Sequence, residues 1–90
     1  MISRDLEIVN KLGLHARASS VLAQTCCRFS CAVQISKSGG KTADAKSIMA
    51  LMLMAASKGS FVTLTCDGAD EEQAMQTIAD VIANRFGEHE

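Results

Sequence analysis

The spacing of apolar positions along the chain changes several times, and each change marks an element. Leu6-Glu7-Ile8-Val9 alternates loosely and predicts a first strand, ended by Asn10-Lys11-Leu12-Gly13. From Ala16 the period becomes helical, with Ala18, Val21, Leu22, Cys26 and Phe29 on one face. Cys31 to Ser36 alternates again, placing Cys31, Val33 and Ile35 together. Ser38-Gly39-Gly40 offers the permissive backbone of a hairpin turn, with Lys41 to Asp44 as a short returning strand. Ser47 is a good N-cap for the apolar run Ile48 to Ala56, and Gly59 can close that helix. Phe61 to Cys66 alternates and stops at Asp67-Gly68. Asp70 then opens a last helix with an acidic first turn, Glu71 and Glu72, and with Gln73 placed as in a capping box. Ala74, Ile78, Val81, Ile82 and Arg85-Phe86 lie along its inner side, and Gly87 ends it. The order βαββαβα places the chain in the α+β class, as an open-faced sandwich with helices on one face of a single sheet.

Composition narrows the function. Ninety residues suit one domain, 1–90, with a modest core. There is no Trp, Tyr or Pro and only three Phe, so aliphatic side chains and Met must fill that core. A net charge of −1 argues against non-specific nucleic-acid binding, which needs a basic face to displace counterions, and few aromatics remain for base stacking. The N-terminal Met1-Ile2-Ser3-Arg4-Asp5-Leu6-Glu7 is charged where a signal peptide needs apolar residues. The longest apolar run, Ile48 to Ala56, is too short to span a bilayer, so no membrane insertion and a cytoplasmic location are expected. Cys26, Cys27, Cys31 and Cys66 lack zinc-ligand spacing and read as reduced, buried thiols, so neither a metal nor another cofactor is expected.

Chemistry concentrates where the first loop meets the first helix, at Gly13-Leu14-His15-Ala16-Arg17. A helix N-terminus presents free N–H groups and a partial positive charge, a ready anion site. His15 beside it is a candidate nucleophile, and Arg17 can pair with phosphate oxygens. Two readings stay open on these residues alone: a phosphohistidine site, or a histidine that only caps a helix. The apolar second helix presents a similar choice. Leu51 and Met54 read as core, whereas Met49 and Met52 read as a docking surface, because a short helix cannot bury every side. His89, in the Gly87-Glu88-His89-Glu90 tail, is expected to be solvated and without a role.

The stretch Asn10-Lys11-Leu12-Gly13-Leu14-His15-Ala16-Arg17-Ala18 resembles the active-site signature of HPr, the histidine-containing phosphocarrier family of bacterial phosphotransferase systems. Ala45-Lys46-Ser47-Ile48-Met49 is similar to the family's regulatory serine segment, and Lys58-Gly59 to the turn that follows it. The resemblance spans essentially the whole chain. It implies an HPr-like fold, with a four-stranded antiparallel sheet and three helices on one face. It also implies that His15 accepts a phosphoryl group on Nδ1 from enzyme I, itself charged by phosphoenolpyruvate, and passes it to an EIIA-type protein. Arg17 would position the phosphate, helped by the backbone N–H groups of Ala16 and Arg17. Ser47 would be the target of an HPr kinase/phosphorylase. Ser20, Ile48, Met49 and Met52 would form the docking surface. A carrier that turns over no substrate of its own would need no cofactor.

Ala18 stands where the family commonly has proline, and Gln24 and Cys26-Cys27 replace an expected basic rim, which brings the chain closer to the nitrogen-related branch, NPr. The rival reading is a regulatory adaptor that binds partners without phosphotransfer; its discriminator would be a residue at position 15 unable to carry phosphate. A metal chaperone of similar size would need C-x-x-C in the loop that holds Leu14-His15-Ala16-Arg17.

Overall fold

The computed structural model describes residues 1–37, 40 and 42–90. Strands β1 (Ile2–Glu7), β2 (Ala32–Lys37), β3 (Thr42–Asp44) and β4 (Phe61–Asp67) form one antiparallel sheet in the order β1-β4-β2-β3. Helices α1 (Ala16–Cys26), α2 (Ile48–Met54) and α3 (Glu71–Ala83) complete the expected βαββαβα order. The strands send Val33, Ile35, Val62, Leu64 and Cys66 into a core shared with Ala18, Leu22, Cys26, Leu51, Ile78 and Ile82 of the helices. The opposite face is polar and pairs across strands, as in Ser3 Oγ to Thr65 Oγ1 at 2.9 Å and Thr63 Oγ1 to Asp5 Oδ1 at 2.7 Å. Among the described residues no helix is long and apolar enough to cross a membrane.

Several boundaries depart from the sequence expectation. The first strand lies earlier, at Ile2–Glu7, because its register against β4 runs from Ile2 opposite Cys66 to Glu7 opposite Phe61. As an edge strand rich in exposed polar residues it carries little apolar alternation. Helix α1 ends at Cys26, so Phe29 packs from the following turn and is only half-buried. Helix α2 stops at Met54 instead of running to Gly59. Ala55 takes a left-handed φ of 55°, and its N–H donates to the Met52 carbonyl at 3.1 Å. That turn buries Ala56 and directs its carbonyl towards the first loop. The expected hairpin turn lies at Ser38 and Gly39, outside the described residues, as does Lys41; Gly40 has φ 96°.

Asp70 does not cap its own helix. Its carboxylate accepts the N–H groups of Ser30 at 2.9 Å and Cys31 at 3.0 Å, which ties the start of α3 to the start of β2. The expected capping box through Gln73 is therefore absent, and Gln73 is exposed. Arg85 and Phe86 are not on the inner face of α3, which ends at Ala83. They adopt left-handed φ values of 57° and 55°, followed by Gly87 at 81°. Phe86 is buried all the same, and the turn sends the C-terminal segment back across the molecule. Cys26, Cys31 and Cys66 are buried as expected, but Cys27 is exposed.

Candidate functional site

Gly13 sets the geometry of the first loop. Its φ of 65° belongs to the left-handed region, and its Cα faces the chain at Ala56–Ser57 too closely for any side chain. Leu14 N–H donates to the Ala56 carbonyl at 2.8 Å, docking the loop against the end of α2. His15 follows as the N-cap residue of α1, with extended backbone and no capping bond from its ring. Its carbonyl accepts the Ser19 N–H at 2.8 Å, while Ser19 Oγ donates to the Leu14 carbonyl at 3.2 Å. The ring is thus free for other work, with the side chain 29% exposed.

One partner occupies it. His15 Nε2 lies 2.5 Å from Glu88 Oε2. The other Glu88 oxygen accepts from Asn10 Nδ2 at 2.9 Å, and the same nitrogen donates to the Gly13 carbonyl at 2.8 Å. Both neighbours of Nδ2 are acceptors, so the amide orientation follows from its partners. Asn10 is fully buried, and its Oδ1 has no partner among the described residues. The Asn10 amide above all, then the His15 ring and Arg17, hold the Glu88 carboxyl below its ordinary value, against the burial that pushes it up. The tail is fastened further along by Lys11 N–H donating to the main-chain oxygen of Glu90 and by Lys11 Nζ 3.3 Å from Glu90 Oε2.

These contacts enclose an open cleft of about 600 Å³, lined by Lys11, Leu12, His15 and Arg17 on one side and by the residues from Gly87 to Glu90 on the other. Arg17 and Ala16 are exposed in the first turn of α1, where backbone N–H groups have no intrahelical partner. Imidazole, guanidinium and a helix N-terminus therefore share one opening to solvent. Among the described residues no group of three or more His, Cys, Asp or Glu side chains is arranged to hold a metal ion.

The family model described as the PTS HPr component phosphorylation site matches residues 2–84. The chain belongs to the HPr phosphocarrier family. It is 53% identical, over the full length of both chains, to the phosphocarrier protein HPr of Cupriavidus necator, and 47% identical on the same terms to that of Neisseria meningitidis. The crystal structure of HPr-C-His from Thermoanaerobacter tengcongensis superposes with a TM-score of 0.94 at 40% identity, covering all of both chains. Membership of the HPr family makes the chain a phosphocarrier component of the phosphotransferase system, a family whose role is to interact with the enzymes of that system.

The other sequence candidates lie on α1 and α2. Ser47 caps α2, its Oγ accepting the Ala50 N–H at 3.2 Å. Ile48, Met49 and Met52 are exposed on α2, as is Leu53, which the sequence reading passed over, while Leu51 and Met54 are core. Ser20 is half-buried on α1 and accepts from Gln24 Nε2 at 3.2 Å. His89 is exposed, as expected, and borders the cleft, while its neighbour Glu88 reaches the ring of His15. Asn10 and Glu88 were missed for a physical reason. Glu88 is 73 positions from His15 and follows a helix stop, so no local period points to it. Asn10 lies in the motif itself, but its role depends on the returning tail.

Proposed function

We propose that the chain, as a single domain spanning residues 1–90, carries a phosphoryl group on His15 Nδ1 between phosphorylated enzyme I and an EIIA-type protein in the cytoplasm. The observation that carries this reading is the half-exposed His15 ring, with Nε2 engaged by Glu88 and Nδ1 its one remaining nitrogen, beside Arg17 at the start of α1. In transfer, the Nδ1 lone pair forms a bond to phosphorus as the N–P bond of the donor breaks, and that electron pair returns to the donor nitrogen. Arg17 and the N–H groups of Ala16 and Arg17 meet the phosphoryl oxygens. The cleft is open, so the group is held lightly enough to move on. The chain leaves each cycle as it entered, a stoichiometric carrier instead of an enzyme.

Ile48, Met49 and Met52, with Ser20, form the docking surface for donor and acceptor; flexible Met side chains suit two differently shaped partners. Ser47 is the regulatory position for an HPr kinase/phosphorylase. A phosphate there is compatible with a helix N-terminus and sets negative charge beside the docking surface.

The test is intact-protein mass spectrometry after incubation with enzyme I, Mg2+ and phosphoenolpyruvate, in separate arms for the sugar-type and nitrogen-type donor. One acid-labile phosphoryl adduct, absent from His15→Ala, is expected. No adduct with either donor would overturn the carrier reading and leave the regulatory adaptor, which the exposed face of α2 serves equally well.

A further inference from the structure

The tail that covers the first loop is built at a conformational cost. Arg85, Phe86 and Gly87 are all left-handed, and two of the three carry side chains that disfavour this region. Such strain persists only where the surroundings over-determine it. Here burial of Phe86 anchors the turn, Arg85 Nε donates to the Glu88 carbonyl at 3.3 Å, and Lys11 fastens Glu90. The outcome of that local arrangement is a single carboxylate placed between Asn10 and His15.

The hydrogen-bond inventory at this carboxylate is decisive. Asn10 Nδ2 can only donate, and an ionised carboxylate can only accept. The hydrogen between His15 and Glu88 therefore belongs to Nε2, and in the neutral ring Nδ1 is left without one. We propose that Glu88 is a positioning residue for His15, holding the ring hydrogen on Nε2 so that Nδ1 keeps its lone pair for the phosphoryl group. This deepens the carrier reading and rests on it. When Nδ1 bonds to phosphorus, Nε2 retains its hydrogen and the ring gains positive charge, which the Glu88 carboxylate offsets. The arrangement parallels the orienting carboxylate of a hydrolase triad in role, though not in fold.

The inventory predicts an inverted ranking of variants. Glu88→Ala removes the acceptor and leaves the ring to solvent. Glu88→Gln has one oxygen for two donors. Asn10 Nδ2 cannot change its role, so the glutamine oxygen faces Asn10 and its NH2 faces the ring. The ring then accepts at Nε2 and carries its hydrogen on Nδ1, where it blocks attack. The conservative variant should be the worse one.

The experiment combines 15N chemical shifts of the His15 ring, read where the ring is neutral, with the initial rate of phosphoryl uptake from enzyme I. Wild type is expected to show the Nε2–H tautomer. Glu88→Ala should slow uptake by about tenfold, the scale of a lost charge-assisted hydrogen bond. Glu88→Gln should shift the ring to Nδ1–H and slow uptake by about a hundredfold or more. A Glu88→Gln protein with the wild-type tautomer or the wild-type rate overturns the proposal, and so does one faster than Glu88→Ala. An adduct-free wild type would remove the carrier reading instead. The ring shifts need no donor and still decide whether Glu88 holds the hydrogen on Nε2.

Discussion

Gly13→Ala tests the construction of the loop that presents His15. An added Cβ would sit 2.3 Å from the Ala56 carbonyl oxygen and 2.8 Å from Ser57 Cα. The first contact is about 0.7 Å short of the 3.0 Å that real Cβ atoms keep. Both obstacles are backbone, so neither can rotate away. The carbonyl that must retreat is the one accepting from Leu14 N–H at 2.8 Å, and that bond docks the loop. A non-glycine residue at φ 65° costs about 1–2 kcal/mol. Loss of the docking bond in a buried setting adds about 1–3 kcal/mol. The expected destabilisation is about 3 kcal/mol, or a fall in Tm of roughly 12–24 °C for a chain this size. Gly59→Ala is the internal control. Its φ of 87° is equally left-handed, but its Cβ meets nothing within 4 Å, so only about 1–2 kcal/mol should be lost. Urea unfolding of both variants, with midpoints compared at unchanged m, isolates the collision from the backbone term. If Gly13→Ala proves no less stable than Gly59→Ala, the close approach of the loop to Ala56–Ser57 is refuted.

Four other outcomes follow from the same geometry. Ser47→Ala should cost about 1 kcal/mol in urea unfolding through loss of the bond from Ala50 N–H, whereas Ser47→Asp retains a cap and should unfold close to wild type. Asp70 has its carboxyl held below the ordinary aspartate value of 3.8, chiefly by the Ser30 N–H, so its stabilisation is present above that pH and is lost as pH falls through the native value. Asp70→Asn should accordingly be less stable than wild type at neutral pH, and the gap should narrow in urea titrations below that range; a constant gap would contradict the charged role. Burial pushes the Cys26 thiol up to about 12 and Cys66 to about 11, and Cys31 upward too, so a thiol reagent at about pH 8 should modify only Cys27 promptly in the native protein. Two fast thiols would be inconsistent with the buried placement of the other three. Met49 is 67% exposed, so Met49→Lys should alter unfolding by less than about 0.5 kcal/mol while slowing phosphoryl transfer between partners; unchanged transfer would remove Met49 from the docking surface.

Periodicity determined a good deal unaided. The alternation of Val33 with Ile35 and of Val62 with Leu64 and Cys66 marks strands whose inner faces meet a helix layer, and all five are buried. The spacing of Ala18, Leu22 and Cys26 marks the inner face of α1, and Ser47 marks the start of α2, because a cap is a matter of neighbouring residues. His15 and Arg17 stood out for the same reason: a helix start, a nucleophile and a cation lie within three positions. Features that depend on distant segments were not legible. The edge strand Ile2–Glu7 is defined by its hydrogen bonds to β4 more than by any pattern of its own. Asp70 resembles a helix cap in sequence but serves Ser30 and Cys31, residues 40 and 39 positions away. The end of α2 at Ala55 and the left-handed turn at Arg85–Phe86 contradict local propensity, and each is held by burial of a neighbouring or included side chain, Ala56 or Phe86. That second turn brings Glu88 to the ring of His15. Sequence alone named the histidine and the helix end that presents it. Which ring nitrogen is engaged was decided by the tertiary structure, because the carboxylate that meets it arrives from the other end of the chain.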